Sequence, residues 1–360
     1  MKQLFFLILL ISLVAPAFAG PKSEACVASL AEYDKLMSKR SGGTLAEADS
    51  VAMVGHLRSA LEQFKESIAD GEEPDPVAAK AIGTHYNDYT VAGIFMFQDR
   101  DYRGAYDIWE ACVSLPDIPE VNAAVTNPQN SRGELAFNRA LAATQAGLRQ
   151  ETLEAYDKAY SLGYEEAQLF DGAINMAQQM KQNEIAYMWS DRAQQKFGMK
   201  SLYREYMIKS AMEMEMDINR GVALATESIE ADPANPKWYT LRVIGYERLK
   251  DHSKSIEDLR KVSELAPQDA MAQYNYAAKL MFLANMARNE HTADKKELKK
   301  MYDEAAVAFE KVCTLPADSR ASRHAIEKSL NYLDQIFYSN GDKAGRKRVE
   351  TYRKALNNKD

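Results

Sequence analysis

The stretch PKWYTLRVIGYERLKDHSKSIEDLRKVSELAPQD, Pro236 to Asp269, decides the fold. Between Trp238 and Leu249, Tyr239, Val243 and Tyr246 recur at three- and four-residue steps and so share one helical face. Lys250, Asp251 and His252 are polar and interrupt that pattern. Ile256, Leu259, Val262 and Leu265 then fall at three-residue steps along a second stripe. Pro267 ends it, because proline lacks an N–H and disfavours helical geometry in the residue before it. The spacing predicts two antiparallel helices joined by a short polar turn. Such a hairpin cannot bury its apolar faces alone.

The punctuation repeats. Pro233 precedes the hairpin and Pro267 closes it, 34 residues apart. A helix–turn–helix unit of that length with proline near its end resembles the tetratricopeptide repeat (TPR). That family places small residues where its helices cross and a large one between them. Here the corresponding residues are Val243, Ser255, Leu259 and Val262. The same register reaches backwards. Gly93, Ala105, Trp109 and Cys112 hold it in the stretch from Tyr86 to Pro119, where DRDYRGAYDIWEACVSLP resembles the family's second helix. Ala140, Thr152, Tyr156 and Ala159 follow, then Ala186, Gly221 and Ser255 at steps of 34, 35 and 34 residues. Ala305, Phe309 and Val312 mark another copy in YDEAAVAFEKVCTLP. Two steps are long, by 13 residues at Leu115–Gly133 and by 16 near Ala284–Lys299.

The resemblance implies an all-α, right-handed superhelical solenoid of tandem helix-turn-helix repeats, with first helices lining a concave face. It assigns about six repeats to residues 86–318, with insertions near 115–133 and 284–299. Residues 20–85 form an N-terminal helical cap, in which Val27, Leu30, Tyr33 and Leu36–Met37 make a stripe. Thr44 and Glu47 form a capping-box pair there, and GEEPDP (Gly71–Pro76) is a linker. Residues 319–360 form a C-terminal hairpin broken at Ser339-Asn340-Gly341.

Residues 1–19 read as a secretory signal: Lys2, the apolar run Leu4–Val14, and Ala17-Phe18-Ala19 before a cleavage at Gly20. The run is too short to span a bilayer of roughly 30 Å, and no second long apolar run exists. The chain is therefore expected to be exported, periplasmic or secreted, and not integral to a membrane. The absence of N-x-S/T sites suits a bacterial envelope. A formal net charge of −7 argues against nucleic-acid binding. Of Cys26, Cys112 and Cys313, at least one must remain a thiol, and Cys112 and Cys313 read as buried small hydrophobes.

No catalytic constellation stands out. His56, His85, His252, His291 and His324 share no metal-binding spacing, and HExxH, CxxC, GxSxG and phosphate-loop motifs are missing. No cofactor, metal or enzymatic activity is expected. Methionines cluster from Met176 to Met216, and Met212 and Met216 lie one helical turn apart. Adaptable packing explains them better than soft-metal binding. The first-helix positions that face the groove in the family hold Asp171, Asn175, Gln178, Tyr203, Tyr206, Ser210, Glu213, Lys237, Thr240, Glu247 and Tyr274. Tyr, Asn and Gln suit a peptide groove, joining ring contact to hydrogen bonding. The basic run Lys343–Lys359 reads as the solvated face of a capping helix. Two functions follow: an exported, non-catalytic scaffold for a protein or peptide, or a ligand- or glycan-binding or processing envelope protein whose site is built from the two inserted loops.

Overall fold

The computed structural model describes residues 20–41, 47–69, 73–198, 201–214 and 217–357. Residues 1–19, read above as a secretory signal, the Thr44 capping box and Met216 lie outside the described residues. Every regular element among the described residues is helical. No described helix is long and apolar enough to cross a membrane. The chain divides into two compact units, one running to Met180 and one from Lys181 onward.

The first unit opens with α1 (Pro21–Ser41) packed against α2 (Glu47–Ala69). Cys26, Leu30 and Tyr33 form the buried row of α1, displaced by one residue from the Val27 stripe at its start. They meet Met53, Leu57, Leu61 and Phe64 of α2. α3 (Pro76–Thr84) begins at Asp75, whose carboxylate accepts from the N–H groups of Val77 and Ala78. Next come α4 (Tyr86–Gln98) and α5 (Tyr102–Ser114).

The stretch expected as a loop, Leu115–Gly133, is largely built structure. A 3-10 turn (Leu115–Asp117) leads into the short α6 (Pro119–Ala124), which lies on α3. The Asn87 amide pins the return, donating to Asn127 O (3.2 Å) and accepting from Gln129 N (3.0 Å). Arg132 donates to Val113 O and to Asp117 (2.7 Å). α7 (Arg132–Gln145), α8 (Arg149–Ser161) and α9 (Ala167–Gln179) complete the unit.

The second unit holds α10 (Asn183–Phe197), α11 (Ser201–Glu213), α12 (Ile218–Ala231), α13 (Pro236–Arg248) and α14 (His252–Leu265). α15 (Ala270–Asn289), α16 (Lys295–Cys313), α17 (Arg320–Ser339) and α18 (Lys343–Asn357) follow. Within this unit each helix packs on the next. The insertion near Ala284–Lys299 is not a loop. It lengthens α15 and α16, and a capping box of Asp294 with Glu297 starts the second of them.

The hairpins close alike. A single residue with positive φ ends the first helix: Arg100 (64°), Gly147 (74°), Lys250 (56°), His291 (55°) and Gly341 (67°). The next N–H then reaches back five residues, as Asp101 does to Met96 O (2.8 Å) and Asp251 to Tyr246 O (2.8 Å). This satisfies carbonyls that the helix end leaves free.

Small residues set the crossings. Gly93 of α4 faces the Trp109 indole of α5, and a Cβ there would lie 2.4 Å from Nε1. In α13 the close approach falls at Gly245, against Val222 and Met212, and not at Val243, which is half-buried. That helix buries Trp238, Tyr239 and Leu241 as well as Gly245, so its core exceeds the single stripe read from its sequence.

Buried and half-buried arginines tie helix to helix. Arg242 of α13 makes two bonds to Asp258 of α14 (2.8 and 2.7 Å) and one to Thr226 of α12 (3.1 Å). Arg139 of α7 pairs with Glu110 of α5 at 2.6 Å and with the Tyr106 hydroxyl at 2.9 Å. Arg204 of α11 binds Glu227, Ser228 and Leu224 O of α12. Cys26, Cys112 and Cys313 are free thiols, each pushed up to about 12, chiefly by burial.

Two outcomes follow for stability. Gly93→Ala forces the Trp109 ring to move and should cost about 1–3 kcal/mol in chemical denaturation; an unchanged midpoint would show that the ring yields freely. Asp258→Ala leaves the Arg242 guanidinium without its carboxylate and should cost about 3 kcal/mol, against a much smaller loss for the exposed pair partner Asp303→Ala.

Candidate functional site

The residues expected to line a groove divide between the two units. In the first, α9 places Asn175 in solvent and leaves Asp171 and Gln178 half-buried. One oxygen of Asp171 is buried without a hydrogen-bond partner among the described residues.

In the second unit two of the expected groove residues are core. Tyr203 is buried, its ring stacked 6.1 Å from Phe197, and Ser210 is buried. Both turn inward because α11 packs on α10, α12 and α13. Tyr274 is half-buried, 6.2 Å from Phe309. Tyr206 is half-buried. Thr240 is exposed, and its hydroxyl donates to Pro236 O at 2.9 Å.

The charged members serve as ties between first helices. Glu205 of α11 accepts from Lys209 and from Lys237 of α13. Glu213 of α11 pairs with Arg248 of α13 at 2.5 Å. Glu247 of α13 pairs with Lys279 of α15 at 2.5 Å and accepts from Ser255. Lys279 is 7 % exposed, lies 3.0 Å from His252 Nδ1 and sits over the Phe282 ring. Lys279 and Phe282 are absent from the sequence reading, which places His252 in the polar turn. A lysine inside an otherwise apolar helix, YNYAAKLMFL, was the available signal.

Burial alone would push the carboxyls of Glu205 and Glu247 up. Hydrogen bonds outweigh it, from Lys209 and Lys237 in one case and from Lys279 and Ser255 in the other, and hold both below the ordinary 4.5. Carboxyls lowered in the folded state add stability above their unfolded value and lose it as pH falls through the folded value. The melting temperature should therefore drop below about pH 4.5. A Glu205→Gln/Glu247→Gln variant should melt lower at neutral pH and show a flatter acid limb. An acid limb identical to the parent's would mean that other carboxyls govern it.

The first unit contains an apolar cleft that no motif announced. Its volume is about 690 Å³, within the range of ligand sites. α1 contributes Tyr33, Met37 and Arg40; α2 contributes Val51, Met53, Val54, Leu57 and Arg58. α4 contributes Asp88, Val91, Ala92, Phe95, Met96 and Asp99. Val51 is 73 % exposed and Phe95 46 %.

Two polar ties frame the cleft. The Tyr33 hydroxyl of α1 faces the Asp88 carboxylate of α4, and burial followed by that carboxylate's charge raises the phenol well above its ordinary value. Asp101, beyond the other end of α4, meets Arg58 of α2 at 3.4 Å. α4 is thus tied at one end to α1 and at the other to α2. Methionines at three places in the lining give it an adaptable surface.

The register marks identify the architecture. Ala105, Thr152, Ala186, Gly221 and Ser255 are all buried, and each is the fourth residue of its helix. Trp109, Tyr156, Leu259 and Phe309 are buried large partners in the same helices or their counterparts. The fold is an all-α repeat of the tetratricopeptide type.

Solved structures of that type resemble it. YrrB, described as a TPR protein with an unusual peptide-binding site, is 15 % identical, with a TM-score of 0.38 over 59 % of this chain and 96 % of its own. The C-terminal part of a TPR repeat-containing protein from Cytophaga hutchinsonii is 12 % identical, with a TM-score of 0.46 over 74 % and 95 %. A tetratricopeptide repeat protein from Parabacteroides merdae is 14 % identical, with a TM-score of 0.34 over 84 % and 100 %. No family model matches the sequence, and no curated protein is similar to it in sequence.

Among the described residues, no group of three or more His, Cys, Asp or Glu side chains is placed to hold a metal ion. Met212 is buried against Gly221 and Gly245, where it fills space between helices. In the basic C-terminal helix, Arg348 pairs with Glu310 at 2.7 Å and Arg346 with Asp334 at 3.6 Å. The inserted stretches belong one to each unit, and each is mostly helical.

Proposed function

We propose that this chain is a non-catalytic binding scaffold that holds a segment of another protein, with the cleft of the first unit as its anchor site. One observation carries the reading: Val51 and Phe95 lie in water while facing the same 690 Å³ apolar space. Apolar surface gathered in one concave place marks an interaction site. Side chains that fill such a pocket and shed water there supply most of the energy of an interface. Exposed groove positions such as Asn175 and Thr240 add hydrogen-bonding capacity on the first helices. The leader signature of Lys2, Leu4–Val14 and Ala17-Phe18-Ala19 supports action outside the cytoplasm, after cleavage near Ala19.

Selection from a random peptide library on the purified full chain tests the reading. Peptides with clustered apolar anchors should be enriched. Phe95→Asp and Val51→Asp, both at exposed positions, should each weaken the selected peptides by about tenfold or more. Peptides that bind these variants as well as the parent would place recognition elsewhere and remove the cleft from the function.

A further inference from the structure

The row of side chains that α4 presents to the cleft indicates what kind of segment would fill it. We infer that the cleft receives an amphipathic α-helix of about three turns, with basic residues at either end of its apolar row. This rests on the binding reading above and adds the conformation and charge of the occupant.

Asp88, Val91, Ala92, Phe95, Met96 and Asp99 each have another member of the set three or four residues away. They therefore occupy a single face of α4 along nearly its whole length, about 16 Å at 1.5 Å per residue. That is the pattern a helix turns toward a neighbouring helix. α5 is already accommodated elsewhere on α4, where Gly93 receives Trp109. The α1–α2 hairpin holds α4 through Tyr33 at Asp88 and through Arg58 at Asp101. Yet it leaves Phe95 46 % exposed and Val51 on α2 73 % exposed. An apolar helix face opposed by a second apolar wall across an open space is the geometry that accepts an amphipathic helix.

Charge sets the ends. The apolar row of α4 is bounded by a carboxylate on each side, Asp88 and Asp99. Asp99 also caps α4 at its C-terminal end, where the helix carries partial negative charge. Arg58 is engaged by Asp101. Arg40 of α1, which makes no ion pair among the described residues, stands on the opposite wall. Cationic side chains of the occupant therefore belong at the two ends of its apolar row, over Asp88 and Asp99.

The test uses fluorescence anisotropy on the full chain with three labelled synthetic peptides. One has Leu at i, i+3, i+4 and i+7 flanked by Lys. The second has Glu in place of Lys, and the third has the first peptide's composition with central prolines that forbid a helix. The Lys-flanked helix should bind about tenfold tighter than either control and lose affinity as salt is raised. Phe95→Asp should abolish binding, and Asp99→Lys should reverse the Lys-over-Glu preference. Val307→Asp, at an exposed position of the second unit, should leave binding unchanged.

Equal binding of the proline peptide would show an extended occupant, and equal binding of the Glu peptide would remove the charge rule; either overturns the inference. If all three fail while library-selected peptides still bind in a Phe95-dependent way, this inference falls and the cleft remains an anchor site. If no peptide of either kind depends on Phe95, both fall.

Discussion

How near the two helices of a hairpin can approach governs everything else in this molecule. Ala105, Thr152, Ala186, Gly221 and Ser255 sit at the same place in successive second helices, all buried and none larger than threonine. Small side chains there permit the close interaxial distances at which ridges on one helix enter grooves on the next. A bulky residue at that place would separate the helices and strand the large partner above it, such as Trp109 or Tyr156, without contacts. The closing turn obeys the same constraint. Five hairpins end on one left-handed residue followed by a backward hydrogen bond, although only Gly147 and Gly341 have the residue type suited to that geometry. Arg100, Lys250 and His291 accept unfavourable backbone angles, which shows that tertiary packing, not local preference, fixes the turn.

This also explains which parts of the architecture could be read in advance. Repeat length, proline placement and small-residue register are local patterns set by the packing rule, and they are visible in sequence. The inward direction of a particular side chain is not. Tyr203 and Ser210 are expected in a groove by resemblance alone, but α11 touches α10, α12 and α13, and both side chains are buried. Gly245 was passed over for Val243 because a shift of two residues around a helix cannot be resolved from spacing when both sides of α13 are apolar. The insertion near Ala284–Lys299 shows in the sequence only as excess length. Whether excess length makes a loop or a longer hairpin depends on long-range packing of α15 on α16, which no short motif encodes. The cleft was hidden for a related reason. Val51 and Val54 form a second, weaker row on α2 beside Met53 and Leu57, and one helix with two apolar rows reads as a single broad core face.

Charge is spent differently in the two units. Along the first helices of the second unit, Glu205, Glu213 and Glu247 each meet a cation from the following first helix. Exposed pairs of this kind contribute little individually. Lys279 is different, because its ammonium is withdrawn from water and would be costly to leave unpaired. Such ties join the first helices of successive hairpins and engage the polar groups of that face with one another. A face whose charges are already neutralised internally offers little electrostatic selectivity to a visitor.

In the first unit the balance runs the other way. There the polar groups that hold α4, Tyr33 with Asp88 and Arg58 with Asp101, sit at its two ends and leave the apolar middle open. A protein gains nothing in stability from keeping Val51 and Phe95 in water, since each buried apolar side chain of that size contributes roughly 1.5–3 kcal/mol. Closing the α1–α2 hairpin over α4 would bury both, yet α2 and α4 touch only slightly. Methionines at Met37, Met53 and Met96 give the lining of that open space an adaptable surface.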